Sequence, residues 1–566
     1  MTMPRTPILV RVLLAAAALA ASAVVSFRWC YEADLWWHLA HGREIAAGVL
    51  PRVNLFSFTH PAFPQPSISW LFDLGTYGLW QASGAGGIQL GQTLVLFTTL
   101  ALLFAACRVR SGIAVSAAVV AFGFFILEPR ALPRPHTLSF AGMAACALLI
   151  ERARVRRSAV PLLLAVPLVV VWSNFHVESV FGVALLGCFA VGTLVESAPG
   201  TRPLAWRATG ATALAAAAVL ANPYGFGLVQ YLIDNASVPA VIRIAELQPP
   251  YLPNYAPFFV YLLALAGLFL VDTRSFRVWE ALAAAFFAIL ALRHLRFTPL
   301  LLCATAPFVA ARLGPELAGA RWLPAGALFL GLLTARLEPA TFVRQLGVGI
   351  ESLAPAEIVP RGATAFARRV DLSGPLFNSM NIGGWVIWEM YPDARVFHDS
   401  RLQAYPAQHF RDTMEAYRSQ PRWNALVAGV DWAMLSVPRP NELSGAGRFP
   451  GAEWATIYWD DASEILVRRT GRFASLIAEH EYRVLRPGFD PFTLRADDVA
   501  RAERLVDEAL RNRRDNPASF APAAWLCLHG GDAESCAAAQ AIAATRPELR
   551  RAALRLERRA AAAADE

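Results

Sequence analysis

Lysine is missing altogether: every one of the 51 basic residues in this 566-residue chain is arginine. Schiff-base chemistry and a lysine general base are therefore excluded. Charge is scarce too, at 17% of residues, against roughly a quarter in soluble domains. With 56% hydrophobic residues and a mean hydropathy of +0.41, an ordinary soluble enzyme is excluded. No Cys/His cluster has zinc spacing and no glycine loop is built to cradle phosphates. The arginine bias, with long Ala and Leu runs, points to GC-rich bacterial coding.

What charge there is divides unevenly. Residues 1–336 hold 23 Arg against 13 acids, and residues 337–566 hold 28 Arg against 30. The basic excess belongs to the apolar part, so the pI of 9.3 reads as membrane topology and an anionic ligand, not nucleic acid. A bilayer core of roughly 30 Å needs about 17–25 apolar residues per helix. Eleven spans are expected, at about 7–27, 88–106, 112–128, 136–151, 158–174, 177–195, 205–221, 256–271, 278–292, 297–311 and 322–336. A cleaved signal peptide is the alternative for the first, since Ala21-Ser22-Ala23 resembles a cleavage site. Arg108/Arg110, Arg152–Arg157, Arg202/Arg207, Arg274/Arg277 and Arg312/Arg321 mark cytoplasmic loops. They place the N-terminus inside, in a bacterial inner membrane. Loops 28–87, 129–135, 175–176, 222–255 and 293–296, and everything after about 337, then face the periplasm. Residues 68–82 read as an amphipathic segment lying at the outer interface, anchored by Trp70 and Trp80.

The expected fold is an α-helical polytopic membrane protein with an outward C-terminal α/β region and a helical tail. Residues 1–336 form the transmembrane domain, with 28–87 as its first outer loop, and 337–372 a linker. Residues 373–470 form the α/β domain, with strands in LFNS, ARVFHD, VDWAMLSV and SEILVRR and helices in GGWVIWEMYP and QHFRDTMEAYR. Residues 471–566 are helical, two or three helices reading as a degenerate repeat of the tetratricopeptide kind. Cys30, Cys107, Cys146, Cys188 and Cys303 read as packing residues. Cys527 and Cys536 flank a His-Gly-Gly-Asp turn and are either a disulfide across a hairpin or two thiols.

Ionisable residues at membrane depth are costly and so are candidates for function. His38, His41, His60, His136, His176 and His294 all fall on the outer side of the expected topology, with Glu32, Asp34, Asp73, Glu178 and Glu246. The first outer loop reads Tyr31-Glu32-Ala33-Asp34-Leu35-Trp36-Trp37-His38. Its carboxylates could take a proton from an incoming hydroxyl or amine. The faces of Trp36 and Trp37 suit sugar rings. The plainer reading is an aromatic belt with two solvated acids. Arg130, Arg134 and His136 in EPRALPRPHTLSF, His176 in WSNFHVES, and Arg293, His294 and Arg296 in ALRHLRFTP add groups that bind phosphate. Each cluster alone reads as arginine reaching lipid headgroups; three on one side point to a site.

ADLWWHLAHGR, RPHTLSF, WSNFHVESVFG, ANPYG, AELQPP and ALRHLRF occur in this order. Together they resemble a large bacterial family of multi-span proteins with the GT-C glycosyltransferase fold, over roughly residues 7–470. The resemblance implies a transferase using a polyprenyl-phosphate-linked sugar on the periplasmic side, with a glycan, lipid or protein as acceptor. The family carries two acids flanking a Pro before LWWH; here Ala33 replaces the Pro. By that match Asp34 is the catalytic base, Glu32 its helper or alternate, with His38 beside them. Relatives carry a more acidic version of FNSMNIGGW and HDSR; Asn378, Asn381, Asp399 and Arg401 remain here and read as a satisfied turn network. Two carboxylates near a pyrophosphate could hold a divalent metal, but arginine alone can handle a monophosphate leaving group, so no metal or other cofactor is expected. The resulting expectation is an inverting enzyme. Its rivals are a non-catalytic scaffold of an envelope polysaccharide or export system, and a transporter or flippase. The last needs polar groups through the midplane, where these spans are apolar.

Overall fold

Apolar runs broken by proline, glycine and charge set the helix boundaries in the computed structural model of the chain. It describes residues 8–27, 32–235, 245–271, 276–317, 353–355, 358–437, 446–494, 499–517, 519–530, 533–545 and 549–564. The chain forms two compact units, residues 1–52 with 64–353, and residues 53–63 with 354–566.

The first unit is built of helices. They are α1 (Ile8–Ser26), α2 (Ala33–Ala46), α3 (Trp70–Arg108), α4 (Ile113–Leu127), α5 (Pro135–Arg156), α6 (Val160–Leu163), α7 (Ala165–Phe175), α8 (Ser179–Val195), α9 (Arg202–Ala218), α10 (Gly227–Asn235), α11 (Ala256–Val271), α12 (Val278–Arg293) and α13 (Thr298–Leu317). α3 packs on α1, α2 and α5; α12 packs on α8 and α13. Leu103, Phe140, Met143, Phe189, Leu301 and Phe308 fill the core between them. Leu263, Leu270 and Val271 of α11 are exposed, as lipid-facing side chains are. By length and composition α1, α3 and residues Ile113–Arg130 can each cross a membrane. Val160–Phe175, Ser179–Val195 and Ala256–Val271 are shorter apolar helices. The span expected at 322–336, and Cys30, lie outside the described residues.

The segment read as interfacial is the first half of α3. The helix begins at Trp70 and turns at Gly84, whose φ of 57° is the left-handed backbone that favours glycine. Its acid, Asp73, is fully buried against α2. Gly42 permits that contact: a Cβ there would lie 2.1 Å from the Asp73 carbonyl oxygen. Gly42→Ala is therefore expected to cost about 1–3 kcal/mol by forcing α2 off α3. Thermal unfolding in detergent checks this, and an unchanged midpoint would refute it.

Two ionic clusters lie toward opposite ends of α5, about 26 Å apart from Arg134 to Glu151 at 1.5 Å per residue. One surrounds Arg134, just before the helix. At the other end, Arg110 pairs with Glu151 at 2.6 Å and with Glu280, and Arg312 reaches Glu280 at 2.7 Å. Glu151 and Glu280 are buried, so this end of the bundle is less apolar than its sequence suggests. The acids stand near the end of α5 and the start of α12, where they tie helix ends together.

The second unit holds a four-stranded sheet in the order β1 (Leu376–Asn378), β2 (Trp432–Ser436), β4 (Ser463–Arg468), β3 (Trp454–Trp459). β1 runs parallel to β2, with Phe377 opposite Ala433. The other pairs are antiparallel, Met434 facing Ile465, with a register shift between Thr456 and Tyr458. ARVFHD is not a ladder strand; Val396 makes a single bridge to Ser57. WATIYW is a strand that the sequence reading missed, because it is buried throughout and shows no alternation. Residues Gly383–Met390 and Ala407–Ala416 are helices. Among the described residues, region 471–566 holds five helices rather than two or three: Ala474–His480, Val499–Asp515, Phe520–Gly530, Ala533–Thr545 and Arg550–Ala564. Cys527 and Cys536 are disulfide-bonded, with Cα atoms 4.7 Å apart.

Residues 53–63 complete this unit. Phe56 O accepts from Val396 N at 2.9 Å, and Asn54 Nδ2 donates to Ala404 O at 2.9 Å. Arg401, wholly buried, donates to Asp399 Oδ1 and Oδ2 at 2.8 and 2.7 Å and to Asn54 Oδ1 at 3.0 Å. Tyr405 OH adds a bond to Asp399 at 2.6 Å. Asn378 holds the turn through His398 O and Phe397 N.

Burial pushes the Glu464 carboxyl up to about 7, against the pull of Arg486. Its folded pKa lies above its ordinary 4.5, so its contribution is full below that value and is lost as pH rises through about 7. Glu464→Gln is thus expected to stabilise this unit at pH 8 by up to about 3 kcal/mol and to be neutral at pH 4. Hydrogen exchange of β4 in the full chain reads both, and equal effects at the two pH values would contradict it.

Candidate functional site

The site is built where α2, α5, α8 and the turn after α12 meet. Glu32 is the residue before α2, and its Oε1 accepts the Asp34 backbone N–H at 3.1 Å, capping the helix. Arg134 precedes α5, whose first residue, Pro135, suits a helix start. Its extended backbone sends the guanidinium across to α2. Arg134 Nη2 reaches Glu32 Oε1 at 2.5 Å and Asp34 Oδ2 at 3.1 Å, and Nη1 reaches Glu246 Oε2 at 3.1 Å. Arg130 meets the same Glu246 oxygen at 2.6 Å. Arg296 spans Glu246 at 3.5 Å and Glu178 at 3.0 Å. Three arginines and four carboxylates thus form one network.

The two candidate bases differ in access. The Glu32 side chain is 3% exposed and that of Asp34 18%. Burial raises the Glu32 pKa, with Arg134 opposing. Burial also opposes ionisation of Glu246, but Arg296, Arg134 and Arg130 outweigh it and hold that carboxyl below its usual range. Asp34 Oδ1 accepts Trp37 Nε1–H at 3.1 Å. The second oxygen faces Arg134, so this carboxylate is oriented from both sides and is the more exposed of the two acids.

Other candidates take supporting places. His38 is buried, with Nδ1 2.6 Å from Asp73 Oδ1, and its ring lies against Trp37 at 3.6 Å between centroids. Asp73 also accepts from Ser67 and Ser69 and sits 3.4 Å from His41. Trp36 is fully buried at right angles to Trp80, and Trp37 is buried as well. His136 Nε2 bonds Arg130 O at 2.9 Å, His176 Nδ1 lies 3.4 Å from Glu178, and His294 Nδ1 bonds Leu247 O at 2.6 Å. Each histidine holds the segment that carries a charged partner. Arg293 is exposed at the end of α12 and joins no ion pair with the cluster. His60 belongs to the second unit, where it bonds His409 at 3.1 Å. Among the described residues, no group of three or more His, Cys, Asp or Glu is arranged to hold a metal ion.

Asp73, Glu178 and Glu246 were legible only as isolated acids in an acid-poor half. Their scarcity was the signal, and their partners were not readable from it.

The fold is of the GT-C type, and solved structures that resemble this chain include two glycosyl-transferring membrane proteins of that fold. The archaeal oligosaccharyltransferase AglB from Archaeoglobus fulgidus, in complex with an inhibitory peptide and a dolichol-phosphate, superposes with a TM-score of 0.50. It is 10% identical, over 75% of this chain and 70% of that one. ArnT from Cupriavidus metallidurans bound to undecaprenyl phosphate gives 0.50 at 14% identity, over 83% of this chain and 99% of that one. Its apo state gives 0.51 at 15% identity, over 82% and 98%. These likenesses concern the fold. No protein family and no curated protein matches the sequence.

Proposed function

We propose that the protein is an integral membrane glycosyltransferase that moves a sugar from a polyprenyl-phosphate donor to an acceptor at the periplasmic face. The observation that carries the reading is Arg134. One guanidinium touches both candidate bases and the carboxylate shared with Arg130 and Arg296. A base and a phosphate seat therefore adjoin, as an attack at a sugar C1 next to its leaving phosphate requires. Asp34 accepts the proton of the acceptor hydroxyl or amine, whose own attack on C1 expels the polyprenyl phosphate and inverts that centre. Arg130, Arg134 and Arg296 neutralise the departing phosphate. That the AglB and ArnT structures hold a dolichol-phosphate and undecaprenyl phosphate supports the donor class. The disulfide in the tail supports an oxidising compartment for that end of the chain. The test is sugar transfer by the full chain in nanodiscs, wild type against Asp34→Asn, from a panel of polyprenyl-phosphate sugars. Equal transfer by the two would remove Asp34 from the mechanism.

A further inference from the structure

The three arginines assigned above to the phosphate are already occupied, and one side chain is common to all three, although Arg134 also meets Glu32 and Asp34 and Arg296 also meets Glu178. Arg130, Arg134 and Arg296 converge on the two oxygens of Glu246, at 2.6, 3.1 and 3.5 Å. A flat carboxylate serves this array incompletely: Arg130 Nε and Arg134 Nε are buried and have no hydrogen-bond partner among the described residues. A tetrahedral phosphate brings more acceptor oxygens, spread in three dimensions, to the same donors.

The segment bearing Glu246 is fixed independently of its side chain. His294 Nδ1–H donates to Leu247 O at 2.6 Å, and Leu295 N donates to Gln248 O at 2.9 Å. The carboxylate, 19% exposed, can therefore turn away without unfolding its turn. A donor phosphodiester carries one negative charge, as Glu246 does, and the free lipid phosphate, with about −1.5 to −2, presents the same kind of oxygens to the same donors. Exchanging Glu246 for the phosphodiester leaves the charge around the arginines unchanged, which avoids an uncompensated buried ion in either state.

We propose that Glu246 is a built-in occupant of the phosphate seat, which the phosphate of the lipid donor displaces as it binds. This rests on the reading of the three arginines as the phosphate site. Glu246 then acts as a specificity residue. It keeps the arginines paired when no donor is present, and weak anions cannot compete with a carboxylate held in place by the chain.

The experiment is binding of undecaprenyl phosphate to the full chain in phosphatidylcholine nanodiscs, for wild type, Glu246→Gln, Glu246→Ala and Arg296→Ala. If Glu246 fills the seat in nine of ten molecules, removing its charge tightens binding about tenfold. Both Glu246 variants should show this, and Arg296→Ala should lose binding. A residue that merely braced the fold would weaken binding when replaced, so the sign of the effect separates the two roles. Unchanged or weaker binding by both Glu246 variants, with binding lost in Arg296→Ala, overturns the occupant and leaves the phosphate site standing. Wild-type binding by Arg296→Ala overturns the phosphate site, and the occupant with it. Thermal midpoints guard against misfolding. Ligand should raise the midpoint of Glu246→Gln by more than that of wild type, and an equal or smaller rise counts against the proposal.

Discussion

Asp34→Asn is expected to slow sugar transfer by about a hundredfold to ten-thousandfold, the range that a positioned acid or base contributes. Asn keeps the size of the side chain and an oxygen for Trp37 Nε1–H, which bonds Asp34 at 3.1 Å. It cannot take a proton. Undecaprenyl phosphate binding should be kept, because Arg130 and Arg296 retain their pairs with Glu246 and Glu178, and Arg134, which meets Asp34 at 3.1 Å, loses only one of its three carboxylates. Glu32→Gln is the informative partner. Glu32 caps α2 and lies almost wholly buried on Arg134, so its replacement should lower both the thermal midpoint and the rate. Initial rates and melting curves on the same preparations distinguish a lost base from a loosened helix. If Glu32→Gln is stable and inactive while Asp34→Asn is active, the roles are reversed.

The largest expected effect on stability lies in the second unit. Arg401→Met leaves the Asp399 charge in a wholly buried place without its bidentate partner. Breaking a buried pair on one side costs about 3–5 kcal/mol, enough to open much of a small unit. Asp399→Asn combined with Arg401→Met should recover part of the loss, since neither charge then remains unpaired. Burial disfavours the Asp399 carboxylate, but Arg401 outweighs it and holds the pKa below the ordinary aspartate value. A depressed acid contributes stability above its unfolded pKa, and that is lost as pH falls through the folded one. The gap between wild type and Arg401→Met should therefore narrow only in acid, below about pH 4. Hydrogen exchange at Phe397 N and Arg401 N, both bonded within this network, reads it directly. Protection unchanged in Arg401→Met would refute the account.

Much of the helical unit was legible because its signals are local. Apolar runs are broken by residues such as Pro135, Gly112 and the Arg pairs, and α4, α11 and α12 begin and end within a residue of the runs at 112–128, 256–271 and 278–292. The acid pair and Arg134 were legible as candidates, each from its own short motif. What joins them was not. Glu246 lies 112 residues from Arg134, and Asp73 lies 35 from His38, and no periodicity encodes such pairings. His38 illustrates the difficulty. Its neighbours in sequence are the acids, but its ring nitrogen is taken by Asp73, so it stiffens Trp37, which in turn orients Asp34. The placement of residues 53–63 was equally hidden, since nothing in PRVNLFSFTHPAF distinguishes a loop of one unit from a strap of another.

That strap sets an order of events during synthesis. Residues 53–63 leave the ribosome early, and residues 64–353 must follow before the rest of their unit exists. At about 5–20 residues per second the wait is roughly 15–60 s. Through that interval Phe56 and Asn54 have none of the neighbours they finally touch, Tyr391, Ala404 and Arg401. The unit closes only when its late portion reaches the early one. A chain that stalls or is cut within residues 64–353 leaves a hydrophobic stub that quality control can recognise, and a tail made separately starts life without the asparagine that completes the shell of Arg401.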